Sequence, residues 1–178
     1  MAGPHTLGET ERQVVDRVGQ LPLDYAAMAV VSNLFRASNA VRNHLERTVL
    51  SGQNLSWTAF VVLWVTWIWE PIETRNVALE SGISKATLTG VLTTLEKRGW
   101  VTREKSETDG RLVLVRMTPA GRDLMVALFP DFNLEEQRVV KTIDEDNLAG
   151  FADLLRAVTA SVEPAANSSE EPPSSPQR

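Results

Sequence analysis

Residues 74–118 read TRNVALESGISKATLTGVLTTLEKRGWVTREKSETDGRLVLVRMT, and this stretch decides the fold. Residues 74–80 suit a short helix with Thr74 as its N-cap. The segment 81–84 is a tight turn: Gly82 can take the left-handed conformation that ends a helix, and Ser84 can cap the next one. From there Leu88, Val91, Leu92 and Leu95 recur at the one-faced spacing of an amphipathic helix. Lys85, Thr87, Thr89, Thr93, Thr94 and Lys97 are left facing outward, short or flexible polar groups suited to a helix that enters a groove. Gly99 stops this helix. Residues 100–103 and 112–117 have strand propensity, and the polar segment between them holds the turn pair Asp109-Gly110. Helix, turn, helix and a two-stranded hairpin with a basic tip make the pattern of a winged DNA-binding unit.

The runs ISKATLTG (83–90), LEKRGWV (95–101), DGR (109–111) and MTPAG (117–121) together resemble the MarR family of bacterial transcriptional regulators. The usual leucine before Thr-Pro is Met117 in this chain. The matching run covers about a quarter of the sequence, and the helical flanks fit the family layout over most of the rest. The resemblance implies a mostly α fold with a small β-hairpin wing (α+β), flanked by N- and C-terminal dimerisation helices. It also implies small phenolic or aromatic carboxylate effectors, bound between those helices and the winged unit.

The bulk composition agrees with one domain's worth of chain: 178 residues, 43% hydrophobic, enough for a genuine core. Cysteine is absent, which excludes disulfides, thiolate metal sites and a cysteine-based peroxide sensor. Residues 1–20 lack the apolar run of a secretion signal, and the longest apolar run, 57–69, falls short of the roughly 20 residues of a membrane span. A cytoplasmic location with no membrane contact is expected. The net charge of −5 is unevenly spread. Residues 84–123 hold eight basic and five acidic groups, so the remainder carries −8. A basic segment on an acidic body gives local attraction to DNA with less indiscriminate binding elsewhere.

Along the chain, residues 1–20 are expected to form a flexible N-terminal arm with a possible helical stretch near 11–18. A long helix follows from Pro22 to Leu50. Its apolar residues form two rows, Met28, Val31, Phe35 and Val49 beside Val30, Leu34, Val41 and Leu45. Burial within one chain could account for either row, but together they favour a partner subunit. Residues 21–55 and 119–162 are thus assigned to dimerisation and 56–118 to the winged helix-turn-helix. Ser56 caps a helix that begins at Trp57 and ends by Pro71, and Leu55 can pack on Phe60. Trp57, Phe60, Trp64 and Trp67 share a face. These rings either fill a core or line a pocket for a planar ligand, and the resemblance sharpens the second reading. Candidate effector contacts are Trp57, Phe60 and Trp64, with Arg36 and His44, which could neutralise an anionic ligand or simply be solvated or paired with Glu46 and other acids. After the wing, Thr118 caps a helix with Pro119 in its first turn. Pro130 and the Asn133/Glu136 capping spacing argue locally for a break, whereas the family layout argues for one long, kinked helix, which is the expectation kept. Asp144 opens a last helix, and residues 163–178 are expected to be a disordered tail.

The DNA contacts expected from these readings are Ser84, Lys85, Thr87, Thr89, Arg103, Lys105, Asp109, Arg111 and Arg116. Lys85 can reach a guanine or a phosphate, Thr87 and Thr89 a thymine methyl or a phosphate, and Ser84 can cap instead. Arg111 suits the narrow minor groove, steadied by Asp109; the same pair would otherwise be a surface salt bridge. Arg103, Lys105 and Arg116 suit phosphate contacts. There is no phosphate loop, no metal-ligand spacing and no cysteine nucleophile, and two histidines, one of them in the N-terminal arm, argue against a catalytic dyad. Neither enzyme, metal nor cofactor is expected. The leading reading is a ligand-responsive repressor that binds a palindromic operator as a homodimer and is released by a small aromatic or phenolic effector. The alternatives are a ligand-independent DNA-binding regulator and a winged-helix protein-interaction module.

Overall fold

The computed structural model describes residues 5–162. The tail expected at 163–178 lies outside the described residues. The described residues form two compact units, divided between Glu136 and Gln137.

The first helix, α1 (Leu7–Val18), occupies much of the segment expected to be a flexible arm. Its start is fixed by a capping box: the Thr6 hydroxyl accepts from the Glu9 amide at 3.2 Å, and the Glu9 carboxylate accepts from the Thr6 amide at 2.7 Å. The next helix, α2 (Tyr25–Thr48), starts three residues later than expected. Asp24, not Pro22, sets that start, because its carboxylate accepts from the Ala27 amide at 2.9 Å. Tyr25 donates its hydroxyl to the Val18 carbonyl at 2.8 Å, and Asn33 donates to Glu11 at 3.0 Å. A single 3-10 turn, Leu50–Gln53, follows α2.

The core forms around α3 (Trp57–Trp69), a helix apolar on almost every side. Such a helix is stable only when surrounded. Val62, Leu63 and Val65 are buried, as are Val77 and Ala78 of α4 (Thr74–Glu80) and Leu88, Leu92 and Leu95 of α5 (Lys85–Lys97). The one buried hydroxyl on α3, that of Thr66, donates to the Val62 carbonyl at 2.8 Å.

The wing is wider than expected, a three-stranded rather than two-stranded sheet. Strand β1 (Ile72–Glu73) lies against β3 (Val113–Met117), which pairs in turn with β2 (Val101–Lys105), all antiparallel. Ile72 faces Val115, and Val101 faces Met117. The third strand also moves the start of α4: Glu73 takes the N-cap position, without a side-chain cap, and Thr74 is the first helical residue.

One continuous helix, α6 (Pro119–Val140), runs through Pro130. The Thr118 hydroxyl caps it, accepting from the Gly121 amide at 3.0 Å. Phe129 and Phe132 flank the proline and stack on α3, Phe129 on Trp64 at 4.8 Å and Phe132 on Phe60 at 4.4 Å. Tertiary packing on both sides of Pro130 offsets the roughly 3 kcal/mol that an internal proline costs a helix. Asn133, expected as a possible restart cap, instead bonds the Glu136 side chain at 3.0 Å within the same helix. In the second unit, α7 (Glu145–Val162) has no buried residue. Among the described residues, no helix is long and apolar enough to cross a membrane.

A candidate nucleic-acid interface

The turn before α5 is built as its residues require. Gly82 has φ +63°, and the Ile83 amide reaches back to the Ala78 carbonyl at 3.0 Å. The Ser84 hydroxyl accepts from the Thr87 amide at 3.1 Å, and the two hydroxyls are 2.9 Å apart. Ser84 is therefore the cap of α5. Lys85, Thr87, Thr89, Thr94 and Lys97 are exposed, whereas Thr93 is half-buried. Three threonines return their hydroxyl protons to the helix: Thr89 to the Lys85 carbonyl at 2.9 Å, Thr93 to Thr89 at 2.8 Å, and Thr94 to Gly90 at 3.0 Å.

At the tip of the wing, the Ser106 hydroxyl accepts from the amides of Thr108 and Asp109, each at 3.3 Å. Asp109 then holds Arg111 in a fork: Nε to Oδ1 at 3.0 Å and Nη2 to Oδ2 at 2.9 Å, with the Arg111 amide also on Oδ1 at 3.0 Å. The Arg111 side chain is nonetheless 90% exposed. Hydrogen bonds from Arg111 keep the Asp109 carboxyl below the usual aspartate range, so the clamp is charged at neutral pH.

Two arginines expected on phosphates have carboxylate partners. Arg103 forms a short ion pair with Glu96 on α5 and lies 3.5 Å from the Thr93 hydroxyl. That hydrogen bond holds Glu96 below its ordinary value and pushes Arg103 up. With its side chain only 29% exposed, Arg103 ties the wing to α5. Arg116 sits 3.5 Å from Glu104 across the β2–β3 pair. Among the described residues, Lys85 and Lys105 have no carboxylate partner.

The five candidate effector contacts fall into three settings. Arg36 lines an apolar groove of about 850 Å³ between α1 and α2, with Met28, Val31 and Phe35. His44 meets the largely buried Glu135 of α6 at 2.7 Å. Trp57, Phe60 and Trp64 belong to a ladder of rings completed by Phe129 and Phe132, with neighbouring centroids 4.4 to 6.4 Å apart. A cleft of about 340 Å³ beside the His44 pair is lined by Thr48, Gln53, Leu128, Asp131 and Glu135.

Residue types alone did not reveal what anchors the unit. Glu70, the C-cap of α3, accepts from the Met117 amide at 2.7 Å and from both Nε and Nη2 of Arg122 at 2.8 Å. Arg98 donates to the carbonyls of Gln53 and Asn54 at 2.6 and 2.9 Å and lies 3.6 Å over the Trp100 ring.

A capped, outward-facing helix beside a hairpin with an exposed arginine at its tip defines a winged helix-turn-helix protein. A sequence model of the MarR family matches residues 55–113. The chain is 36% identical over 155 residues to an uncharacterised HTH-type transcriptional regulator, YwaE of Bacillus subtilis, covering 85% of this chain and 91% of that one. The fold is similar to that of Sco3205, a MarR family regulator from Streptomyces coelicolor solved with DNA (18% identity, TM-score 0.72, 80% of this chain and 91% of that one). It is also similar to PcaV of the same organism, solved with its natural ligand (23% identity, TM-score 0.64, 79% and 98% of the two chains). The chain belongs to the MarR family: it is a DNA-binding transcriptional regulator and not an enzyme.

Proposed function

We propose that this regulator binds a palindromic operator as a homodimer, acting in the cytoplasm as a repressor. Residues 56–118 form the reading unit, and 21–55 with 119–162 supply the dimer contacts. The N-terminal half of α5, with Ser84, Lys85, Thr87 and Thr89, lies in the major groove. Arg111, held by Asp109, enters the adjacent minor groove, where the negative potential is high. Lys105 contacts phosphate, whereas Arg103 acts through α5 and Arg116 shares its charge with Glu104. The observation that carries this reading is the Asp109–Arg111 fork: a guanidinium fixed in direction yet open to solvent.

Release by a small aromatic or phenolic effector draws support from PcaV, whose structure contains its natural ligand. The cleft beside His44 and Glu135 adds a second support, a space between α2 and α6 with polar walls. A ligand-independent regulator is the competing reading, favoured by the ring ladder, in which Trp57, Phe60 and Trp64 already have aromatic neighbours. Fluorescence anisotropy with duplexes flanking the protein's own gene, at several salt concentrations, tests the DNA reading. Adding aromatic carboxylates to the bound complex separates the two regulators. Release with a change in tryptophan emission supports the effector; unchanged affinity and emission across the panel support ligand independence. Failure to bind any duplex at low salt removes the proposal.

A further inference from the structure

The chemistry displayed by α5 limits which bases it can read. Helical spacing places Ala86 and Gly90 opposite the buried Leu88, Leu92 and Leu95, with Thr89 and the half-buried Thr93 on one flank and Thr94 on the other. Ala86 and Gly90 have no polar side-chain atom. Each of the three threonines has committed its hydroxyl proton to a backbone carbonyl one turn back. A hydroxyl bonded in this way can still accept but cannot donate. Between Lys85 and Lys97, Thr89 and Thr94 therefore offer methyl groups and acceptor oxygens, while the Thr93 oxygen already accepts from Arg103 and the Ser84 and Thr87 hydroxyls share one hydrogen bond. Gly90 adds room: a Cβ built there meets nothing within 4 Å, so packing within the chain does not require its small size.

In the major groove guanine displays two acceptors, N7 and O6, and demands donors. Thymine displays O4 and its 5-methyl group, adenine N7 and an amino donor, and cytosine an amino donor. We propose that Thr89 and Thr94 determine specificity by reading thymine methyl groups and the adenine amino groups paired with those thymines. Donation to guanine N7 or O6 falls to the lysines and to whichever of the Ser84 and Thr87 hydroxyls does not donate to the other. This inference rests on α5 being the major-groove helix.

The test replaces thymine by deoxyuridine, one position at a time, in a duplex the protein binds. This removes the methyl group and leaves O4 and base pairing in place. Affinity should fall about three- to fivefold at two or more positions in each half-site, the loss expected for one buried methyl. The variants Thr89→Ser and Thr89→Val assign the contact, with circular dichroism checking that both are folded. Thr89→Ser, which lacks the side-chain methyl, should lose the thymine-over-uracil preference at one position per half-site. Thr89→Val, which lacks the hydroxyl, should keep that preference. Equal binding of every uracil-substituted duplex overturns the inference and leaves DNA binding standing. So does a Thr89→Val variant that loses the preference while Thr89→Ser keeps it. Failure to bind any duplex would instead overturn the proposed function, and the base preference with it.

Discussion

Arg111 and Asp109 separate two ideas about how a charged side chain finds DNA. If net charge governed affinity, removing the Asp109 carboxylate from a surface facing phosphates would strengthen binding. The fork implies the opposite, because it fixes a side chain that would otherwise lose rotamer freedom on entering the groove. Asp109→Asn should weaken operator binding roughly three- to tenfold. Arg111→Ala should weaken it further, and neither change should shift the melting temperature. Anisotropy titrations beside thermal melts check both, and tighter binding by Asp109→Asn would refute the orienting role. Glu96 gives a pH test of a different kind. Its carboxyl is held below the ordinary value of 4.5 by the hydrogen bond from Arg103, so the unfolded chain binds a proton more readily than the folded one. The stabilisation is fully present above 4.5 and fades as pH falls through the lowered folded value. Glu96→Gln should melt earlier than the parent protein at neutral pH, and the gap should close in acid. A gap that persists unchanged at low pH would show that the pair is not its origin.

At the scale of elements, most of the reading unit was legible because its signals are local. Gly82, the Ser84 cap and the leucine spacing of α5 each act within one or two turns, and all three hold. Strand β1 was hidden for the converse reason: two residues after Pro71 carry no periodicity, and only pairing with β3 makes them a strand. The Thr6/Glu9 capping box of α1 was present in the sequence, but no long apolar run followed to draw notice to it. Arg103 could be counted as a cation but not paired, since Glu96 lies on a neighbouring element. Glu70 and Arg122 are 52 residues apart, beyond any pattern reading. Arg98 joins the C-terminal end of α5 to the 3-10 turn after α2 through two carbonyls and a ring. Arg98→Lys should fail to rescue what Arg98→Ala loses, because one ammonium cannot reproduce a planar fork stacked on Trp100. Chemical denaturation should show a loss of about 1–2 kcal/mol for both. Gly121 is constrained more tightly. A Cβ there would lie 2.1 Å from the Trp100 carbonyl oxygen, so Gly121→Ala should destabilise by about 1–3 kcal/mol as the start of α6 is pushed from the sheet.

At the scale of the whole molecule, large apolar side chains on two helices face water. On α2, Phe35 is 71% exposed and Val31 63%; on α7, Leu154 is 67% exposed and Val162 77%. Each set lies on a helix with a clear polar face, so neither reflects a general excess of hydrophobic residues. The paired apolar rows of α2 were visible in the sequence, and the single chain buries only Leu45 and Val49 among them. A second copy covering these surfaces would need to bury about 1,200–2,000 Å² for a stable interface. Phe35→Glu and Leu154→Glu probe the two helices separately, and both sites already face water in one chain, so a folded monomer should survive. Sedimentation should find the parent protein dimeric and each variant shifted toward monomer. Operator affinity should fall at least tenfold, because two half-sites bound through one body become two independent weak contacts. The remaining single-site binding should still respond to Arg111→Ala, since the fork is built within one chain. If both variants stay dimeric and bind normally, these helices do not form the partner interface. If the parent itself sediments as a monomer yet binds a palindrome tightly, the two-fold reading fails.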